Sequence, residues 1–133
     1  MNAAEYRTMR EACGLSQSDA ATFHDVALRT ISHWESGRNN VPAGAAAELM
    51  GLNARLEQGV QNTLTTVSEL TAEHGAPAVV ALTRYRSAED YAGCRAAAEG
   101  LPWPCHNALI GRVMVALDRI GLRAEVSWAP PPF

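Results

Sequence analysis

The side chains with the clearest chemical potential lie between positions 28 and 33. Ile31 and Trp34 stand three residues apart and would share a buried stripe on a helix, which turns the neighbouring side chains outward. The outward side chains are Leu28, Arg29, Ser32 and His33. A guanidinium holds guanine O6 and N7 or a phosphate through two hydrogen bonds, and leucine packs on a thymine methyl group. The chemistry available to this face is therefore recognition of nucleic-acid bases.

Other residue patterns point away from catalysis and from metal binding. The chain has no glycine-rich phosphate loop, no Gly-x-Ser-x-Gly elbow and no His-Glu-x-x-His motif. His24 beside Asp25 is the nearest approach to a catalytic dyad, and its predicted place in a turn favours a role in connecting helices. Cys13, Cys94 and Cys105 lack paired spacing, so neither a disulfide framework nor a zinc site is predicted. We expect a protein that is not an enzyme and that holds no metal or cofactor.

Two short helices joined by a tight turn are predicted to position the polar face. Ser16 is placed to cap a helix that runs from about Gln17 to Phe23, and a turn is predicted at residues 24–26. A second helix follows from Leu28 to Ser36, and Gly37 ends it where a residue without a Cβ is favoured. This arrangement has the form of a DNA-reading helix-turn-helix.

The segment from Tyr6 to Pro42 resembles the phage-repressor (XRE-type) helix-turn-helix domain. The residues that carry the resemblance are Arg10, Gly14-Leu15-Ser16-Gln17, Ala21, Ile31-Ser32-x-Trp34-Glu35-x-Gly37 and Pro42. Within that group, the run from Trp34 to Arg38 followed by Val41-Pro42, attached to a long C-terminal half, most resembles the anti-CRISPR-associated autorepressors. The resemblance implies a DNA-binding protein.

The resemblance also implies roles for individual residues, because the second helix of such a domain enters the major groove. Without that motif its outer face would be read as merely solvated. The implied base contacts are Leu28, Arg29, Ser32 and His33. The implied contacts to the DNA backbone are Gln17, Thr30, Arg38 and Asn39. Arg10 and Glu35 stand where the family places a partly buried ion pair, so we expect them to be structural.

The C-terminal half is predicted to contain a long helix. Apolar residues recur at steps of three and four from Leu49 to Leu70 or Thr71, and Gly75 is the stop signal after about His74. Gly51 and Gly59 leave open a break in this helix, since glycine weakens a helix interior by about 1 kcal/mol.

Beyond Gly75 the pattern predicts a small α+β unit. Strands are expected over 78–85 and 122–128, and helices over 87–99 and 105–120, with an extended link at 102–104. The apolar face of the last helix is predicted to be Leu109, Ile110, Val113, Met114 and Leu117. The two strands are expected to pair with each other or with a second copy.

The predicted fold class is therefore mainly α. Residues 1–42 are expected to form the helix-turn-helix region, whose core is completed by the start of the next helix. Residues 43–133 are expected to form the long helix and an α+β dimerisation domain with two short strands.

Composition constrains how this protein could bind DNA. The chain carries 24 alanines, eleven arginines, no lysine and a net charge of −3. Residues 1–42 hold four arginines against five carboxylates, so affinity is expected to come from geometry and from a dimer that doubles each contact. No apolar run approaches the roughly 18 residues of a membrane span, and the N-terminus lacks the apolar core of a signal peptide. We expect a cytoplasmic protein with no membrane partner.

The resulting functional hypothesis is a homodimeric repressor that binds an inverted repeat in double-stranded DNA, in its own promoter. The resemblance adds control of a neighbouring phage-derived operon and could extend to binding of the RNA transcript. The alternative hypothesis is an antitoxin-like or adaptor protein-interaction module that keeps the helix-turn-helix fold. Salt dependence separates them, since DNA binding weakens log-linearly with salt.

Overall fold

The structure, a computed structural model, describes residues 1–131 and shows a mainly helical fold. These residues form α1 (Ala3–Ala12), α2 (Gln17–His24), α3 (Leu28–Glu35), α4 (Ala43–His74), β1 (Val80–Arg84), α5 (Ala88–Tyr91), α6 (Arg95–Ala98), α7 (Trp103–Arg119) and β2 (Ala124–Trp128). The chain divides into two compact units, Met1–Leu56 and Glu57–Phe133. The boundary between them lies within α4.

The first unit contains α1, α2, α3 and the first turns of α4. Its first two helices begin at side-chain caps, where Asn2 accepts a hydrogen bond from the Glu5 amide and Ser16 accepts one from the Asp19 amide. Both acidic side chains return a hydrogen bond to the amide of the cap, which completes a capping box at each helix. All four helices contribute buried side chains: Tyr6, Ala20, Ala21, Ile31, Trp34, Ala45, Leu49 and Leu52.

Helix α4 is continuous from Ala43 to His74, so neither Gly51 nor Gly59 breaks it. The predicted apolar stripe is buried at Leu49, Leu52, Leu56, Val60 and Val67. Near the end of the helix Thr71 is half-buried and Leu70 is exposed, so Thr71 continues the stripe. Gly75 ends the helix with a φ of +83°, as the stop signal predicted.

The second unit builds its own core between α4, α7 and a two-stranded sheet. Val60, Val67, Val113 and Leu117 are buried there, and half-buried side chains from both strands pack against them. The strands pair with each other in parallel, from Val80 opposite Ala124 to Arg84 opposite Trp128. Each strand is shorter than predicted.

Three sequence-based expectations for this unit are wrong. The helix predicted over 87–99 is two short helices, α5 and α6, separated by Gly93 and Cys94, because glycine is a poor helix former. The link predicted at 102–104 is instead the start of α7, where Pro104 is tolerated because first-turn amides need no helical acceptor. Met114 is exposed, since it follows Val113 and is rotated about 100° from the buried stripe.

The remaining tryptophans and the cysteines of the described chain have structural surroundings. Trp103 donates a hydrogen bond from Nε1 to the Tyr85 carbonyl at 3.2 Å. The guanidinium groups of Arg84 and Arg86 lie 5.3 and 4.7 Å from the ring centroid of Trp128, at cation–π distance. The three thiols are free, and those of Cys13, Cys94 and Cys105 are buried or half-buried.

Candidate nucleic-acid interface

Helices α2 and α3 form the predicted helix-turn-helix, but the turn lies one residue later than expected. Asp25 adopts a left-handed conformation with φ 56° and ψ 51°, which ends α2 and redirects the chain. The Val26 amide donates to the Ala21 carbonyl at 2.9 Å, and Ala27 is the extended N-cap residue of α3. His24, predicted in the turn, is instead the last residue of α2. Aspartate tolerates the left-handed region better than most residues, which explains the position of the turn.

Helix α3 separates its apolar and polar faces as the sequence predicts. Ile31 is fully buried and Trp34 is 5% exposed. Leu28 is 52% exposed, and Arg29 and Ser32 are also exposed. Because Ala27 has no side-chain acceptor, the first-turn amides of α3 have no side-chain cap and could donate to a phosphate.

The C-terminal end of α3 groups three more of the candidate side chains. His33 is half-buried, and its Nε2 atom lies 3.5 Å from Nη1 of Arg38. Asn39 is exposed, and its amide donates to the His33 carbonyl at 3.1 Å. Thr30 is half-buried. The structure thus places Leu28, Arg29 and Ser32 on the outer face of α3 and clusters His33, Arg38 and Asn39 at its end.

Arg10 and Glu35 form the ion pair that the resemblance implied. Arg10 donates from Nε to Glu35 Oε2 at 2.7 Å and from Nη2 to Oε1 at 2.8 Å. Its Nη1 atom also donates to the Leu15 carbonyl at 2.8 Å, which attaches the loop before α2 to the same guanidinium. The two side chains are only 7% and 5% exposed. This pair holds α1, α3 and the start of α2 in one arrangement.

The ionisation of Glu35 reflects this contact. Burial acts to raise the pKa of Glu35, but the hydrogen bonds from Arg10 and Gln17 outweigh it and lower that pKa below its ordinary value. Gln17 is half-buried, and its Nε2 atom lies 3.4 Å from Glu35 Oε1. The glutamine expected to face phosphate therefore also contacts the ion pair, a connection that the sequence alone did not indicate.

An aromatic cluster beneath α3 was missed by the sequence analysis. The ring of His24 lies 5.9 Å from that of Tyr6 and 5.6 Å from that of Trp34, and its side chain is 1% exposed. Burial lowers the pKa of His24 below 6.5, although Glu48, 3.8 Å away, opposes the change. Burial, together with Glu35, raises the pKa of Tyr6 to about 12. The spacing of His24 four residues after buried Ala20 is the signal that could have placed it inside.

Charge around α3 is less negative than the count of carboxylates suggests. Glu5 and Asp19 are engaged in capping boxes, and Glu11 and Glu35 are engaged in ion pairs. Asp25 is the one carboxylate of residues 1–42 for which the structure shows no such partner. Arg29 likewise has no carboxylate within ion-pair distance among residues 1–131, so its guanidinium is available to a ligand.

Two further classes of site were searched within residues 1–131. No group of three or more histidine, cysteine, aspartate or glutamate side chains is arranged to hold a metal ion there. Across the same residues, no helix combines the length and the apolar character that crossing a membrane requires.

Comparison with known proteins gives one match. A family model described as Aca2/YdiL-like matches residues 1–119, which include the helix-turn-helix, all of α4 and the whole of α7. No curated protein matches the chain. The matched segment extends far beyond the helix-turn-helix motif, so the likeness includes the C-terminal unit.

Proposed function

The chain belongs to the Aca2/YdiL-like family of anti-CRISPR-associated regulators, and from that premise we propose that it is a sequence-specific DNA-binding repressor. It acts in the cytoplasm as a homodimer on an inverted repeat in its own promoter. The observation that carries the proposal is the exposed, unpaired guanidinium of Arg29 on α3, a helix held in place by the buried Arg10–Glu35 pair.

The proposed mode of binding places α3 in the major groove. Arg29 would bind guanine through O6 and N7, and Leu28 would pack on a thymine methyl group. Ser32 and His33 complete the base-facing set, while Arg38 and Asn39 follow the phosphate backbone. Uncapped amides at the start of α3 add a phosphate contact that needs no positive side chain, which suits a protein of net charge −3.

A dimer is part of the proposal because one such helix contacts few base pairs. Two copies related by a two-fold axis would present two α3 helices about one turn of DNA apart, roughly 34 Å, and would require a pseudo-palindromic operator. The dimer contacts are assigned to the C-terminal unit.

Fluorescence anisotropy with labelled promoter DNA tests this function. The protein is expected to bind the inverted repeat of the promoter of its own operon more tightly than a scrambled duplex of equal length, with log-linear weakening as salt rises. Equal binding to both duplexes would contradict sequence-specific repression. Failure to bind either duplex at low salt would favour the protein-interaction alternative.

A further inference from the structure

Strand β2 has one free edge in the sheet formed by the described residues. Residues 1–131 form only a two-stranded parallel sheet, β1 with β2. Parallel sheets are normally covered on both faces, and an isolated two-stranded sheet is marginal in water. Four of the five β2 residues are nevertheless exposed. This strand is therefore a surface from which a partner strand is missing.

The hydrogen bonds to β1 define which backbone groups face the free edge. The Val80 amide donates to the Arg123 carbonyl, and the Ala129 amide donates to the Arg84 carbonyl, both at 2.8 Å. Odd-numbered residues of β2 thus direct their backbone groups toward β1, since these groups alternate along a strand. The amides and carbonyls of Ala124, Val126 and Trp128 point to the free edge.

Apolar surface surrounds that edge. Val126 and Trp128 are 36% and 47% exposed, and Ile120, just before the strand, is 57% exposed. A groove beside the start of β2 is lined in part by Met114 and Leu122. Exposed apolar residues concentrated beside an unpaired strand mark an interaction surface rather than an ordinary monomer surface.

The charges of β2 identify its partner as a second copy of the same strand. Arg123 and Glu125 are exposed, and neither has an ion-pair partner among residues 1–131. In an antiparallel pair with Ala124 opposite the partner's Ala124, Arg123 faces the partner's Glu125. The same register places Leu122 opposite the partner's Val126, and the two-fold axis repeats both contacts.

Neighbouring registers are unfavourable. The direction of the free amides requires even-numbered residues to pair with even-numbered residues, so the register changes in steps of two. One such step in either direction places Arg123 opposite the partner's Arg123 or Glu125 opposite the partner's Glu125. Like charges directly opposite each other destabilise strand pairing. The charge pattern therefore selects the register centred on Ala124.

We propose that two copies of this chain associate through the free edges of β2, antiparallel and centred on Ala124, to form a continuous four-stranded sheet. This inference rests on the dimer in the proposed function and specifies its interface. The new ladder would satisfy the outward backbone groups of β2. It would also cover Val126 with the partner's Leu122 and bring Trp128 toward the partner's Ile120.

Charge reversal in the full-length chain tests the interface, with sedimentation equilibrium as the measurement. Arg123→Glu and Glu125→Arg alone are each expected to raise the dimer dissociation constant by roughly tenfold or more, because each replaces two attractive pairs with two repulsive ones. The double variant is expected to restore a dissociation constant near that of the wild type. Arg95→Glu is the matched control, since it makes the same charge change at an exposed position on α6 and should leave dimerisation unchanged.

A cysteine variant tests the register independently. Ala124→Cys is expected to form an intermolecular disulfide on mild oxidation, because the two-fold axis places both copies of residue 124 opposite each other. Ser127→Cys, further along β2, should cross-link far less.

The possible outcomes separate this inference from the proposed function. A wild-type dimer that is insensitive to both single reversals, or a double variant that is no better than the singles, would overturn the β2 interface and leave the repressor proposal intact. A wild-type chain that remains monomeric while bound to the full inverted repeat would overturn both the dimer and this interface.

Discussion

Arg10 of α1 and Glu35 of α3 are joined by two hydrogen bonds of 2.7 and 2.8 Å, with both side chains almost completely buried. The pair closes the helix-turn-helix on the side away from the outer face of α3. A third donor on the same guanidinium binds the Leu15 carbonyl, so α1, α3 and the loop before α2 share one charged contact. The orientation of the proposed recognition helix depends on this contact.

The first prediction concerns the stability of the pair. Glu35→Gln or Arg10→Met is expected to lower the free energy of unfolding by about 3 kcal/mol, because each change leaves a buried charge without its partner. A double-mutant cycle on urea midpoints should therefore give strong coupling. Arg7 and Glu11 provide the control, as their contact at 2.8 Å joins two exposed side chains and should show little coupling. Equal coupling in both cycles would contradict a special role for burial.

The second prediction separates base recognition from backbone contact. Arg29→Ala is expected to cost about 1–3 kcal/mol per half-site on the cognate operator and to relax preference at one base pair. Arg38→Ala removes the same charge from the end of α3 and should weaken cognate and scrambled DNA by similar factors. Gel-shift titrations against operator variants measure both. The same loss on every sequence for Arg29→Ala would exclude it as a base contact.

The third prediction is a loss of stability at acidic pH through His24. Burial lowers the pKa of this histidine in the folded chain, so the unfolded chain binds the proton more tightly. Stability is therefore fully present above about pH 6.5 and falls as the pH drops through that value toward the folded pKa. His24→Phe should flatten this part of the curve of unfolding free energy against pH.

His106 provides the internal comparison for that experiment. Burial, reinforced by Arg84, also lowers the pKa of His106 in the second unit. His106→Phe should remove its own part of the acid destabilisation and leave that of His24. An unchanged pH profile in His24→Phe would show that Glu48 compensates for protonation in the folded state.

The fourth prediction uses two glycines of the same helix. A Cβ at Gly51 would meet no heavy atom within 4 Å, so Gly51→Ala is expected to raise the free energy of unfolding by about 0.5–1 kcal/mol. A Cβ at Gly59 would lie 3.0 Å from Leu109 Cδ1, so Gly59→Ala should gain less or lose stability. Thermal or urea unfolding measures both. Repeating Gly59→Ala in a Leu109→Ala background should recover the gain, and failure to do so would exclude the close contact as the cause.

Local signals in the sequence were sufficient for most of the helical framework. Ser16 and Gly37 predicted the start of α2 and the end of α3, because caps depend on residues within one turn. The three-residue spacing of Ile31 and Trp34 predicted which face of α3 is buried. That spacing also predicted the exposure of Leu28 and Arg29. The roles of these exposed residues on DNA remain predictions, since recognition depends on a partner.

The tertiary structure decided the features that depend on residues far apart in the chain. Spacing alone could not show that Gln17 contacts Glu35, or that His24 packs against Tyr6 and Trp34, because these contacts close only when three helices meet. The pairing of β1 with β2 was equally undetermined, since a β-branched run specifies a strand but not its neighbour. The continuity of α4 through Gly51 and Gly59 has the same origin: packing along a buried stripe outweighs a local helix penalty of about 1 kcal/mol per glycine.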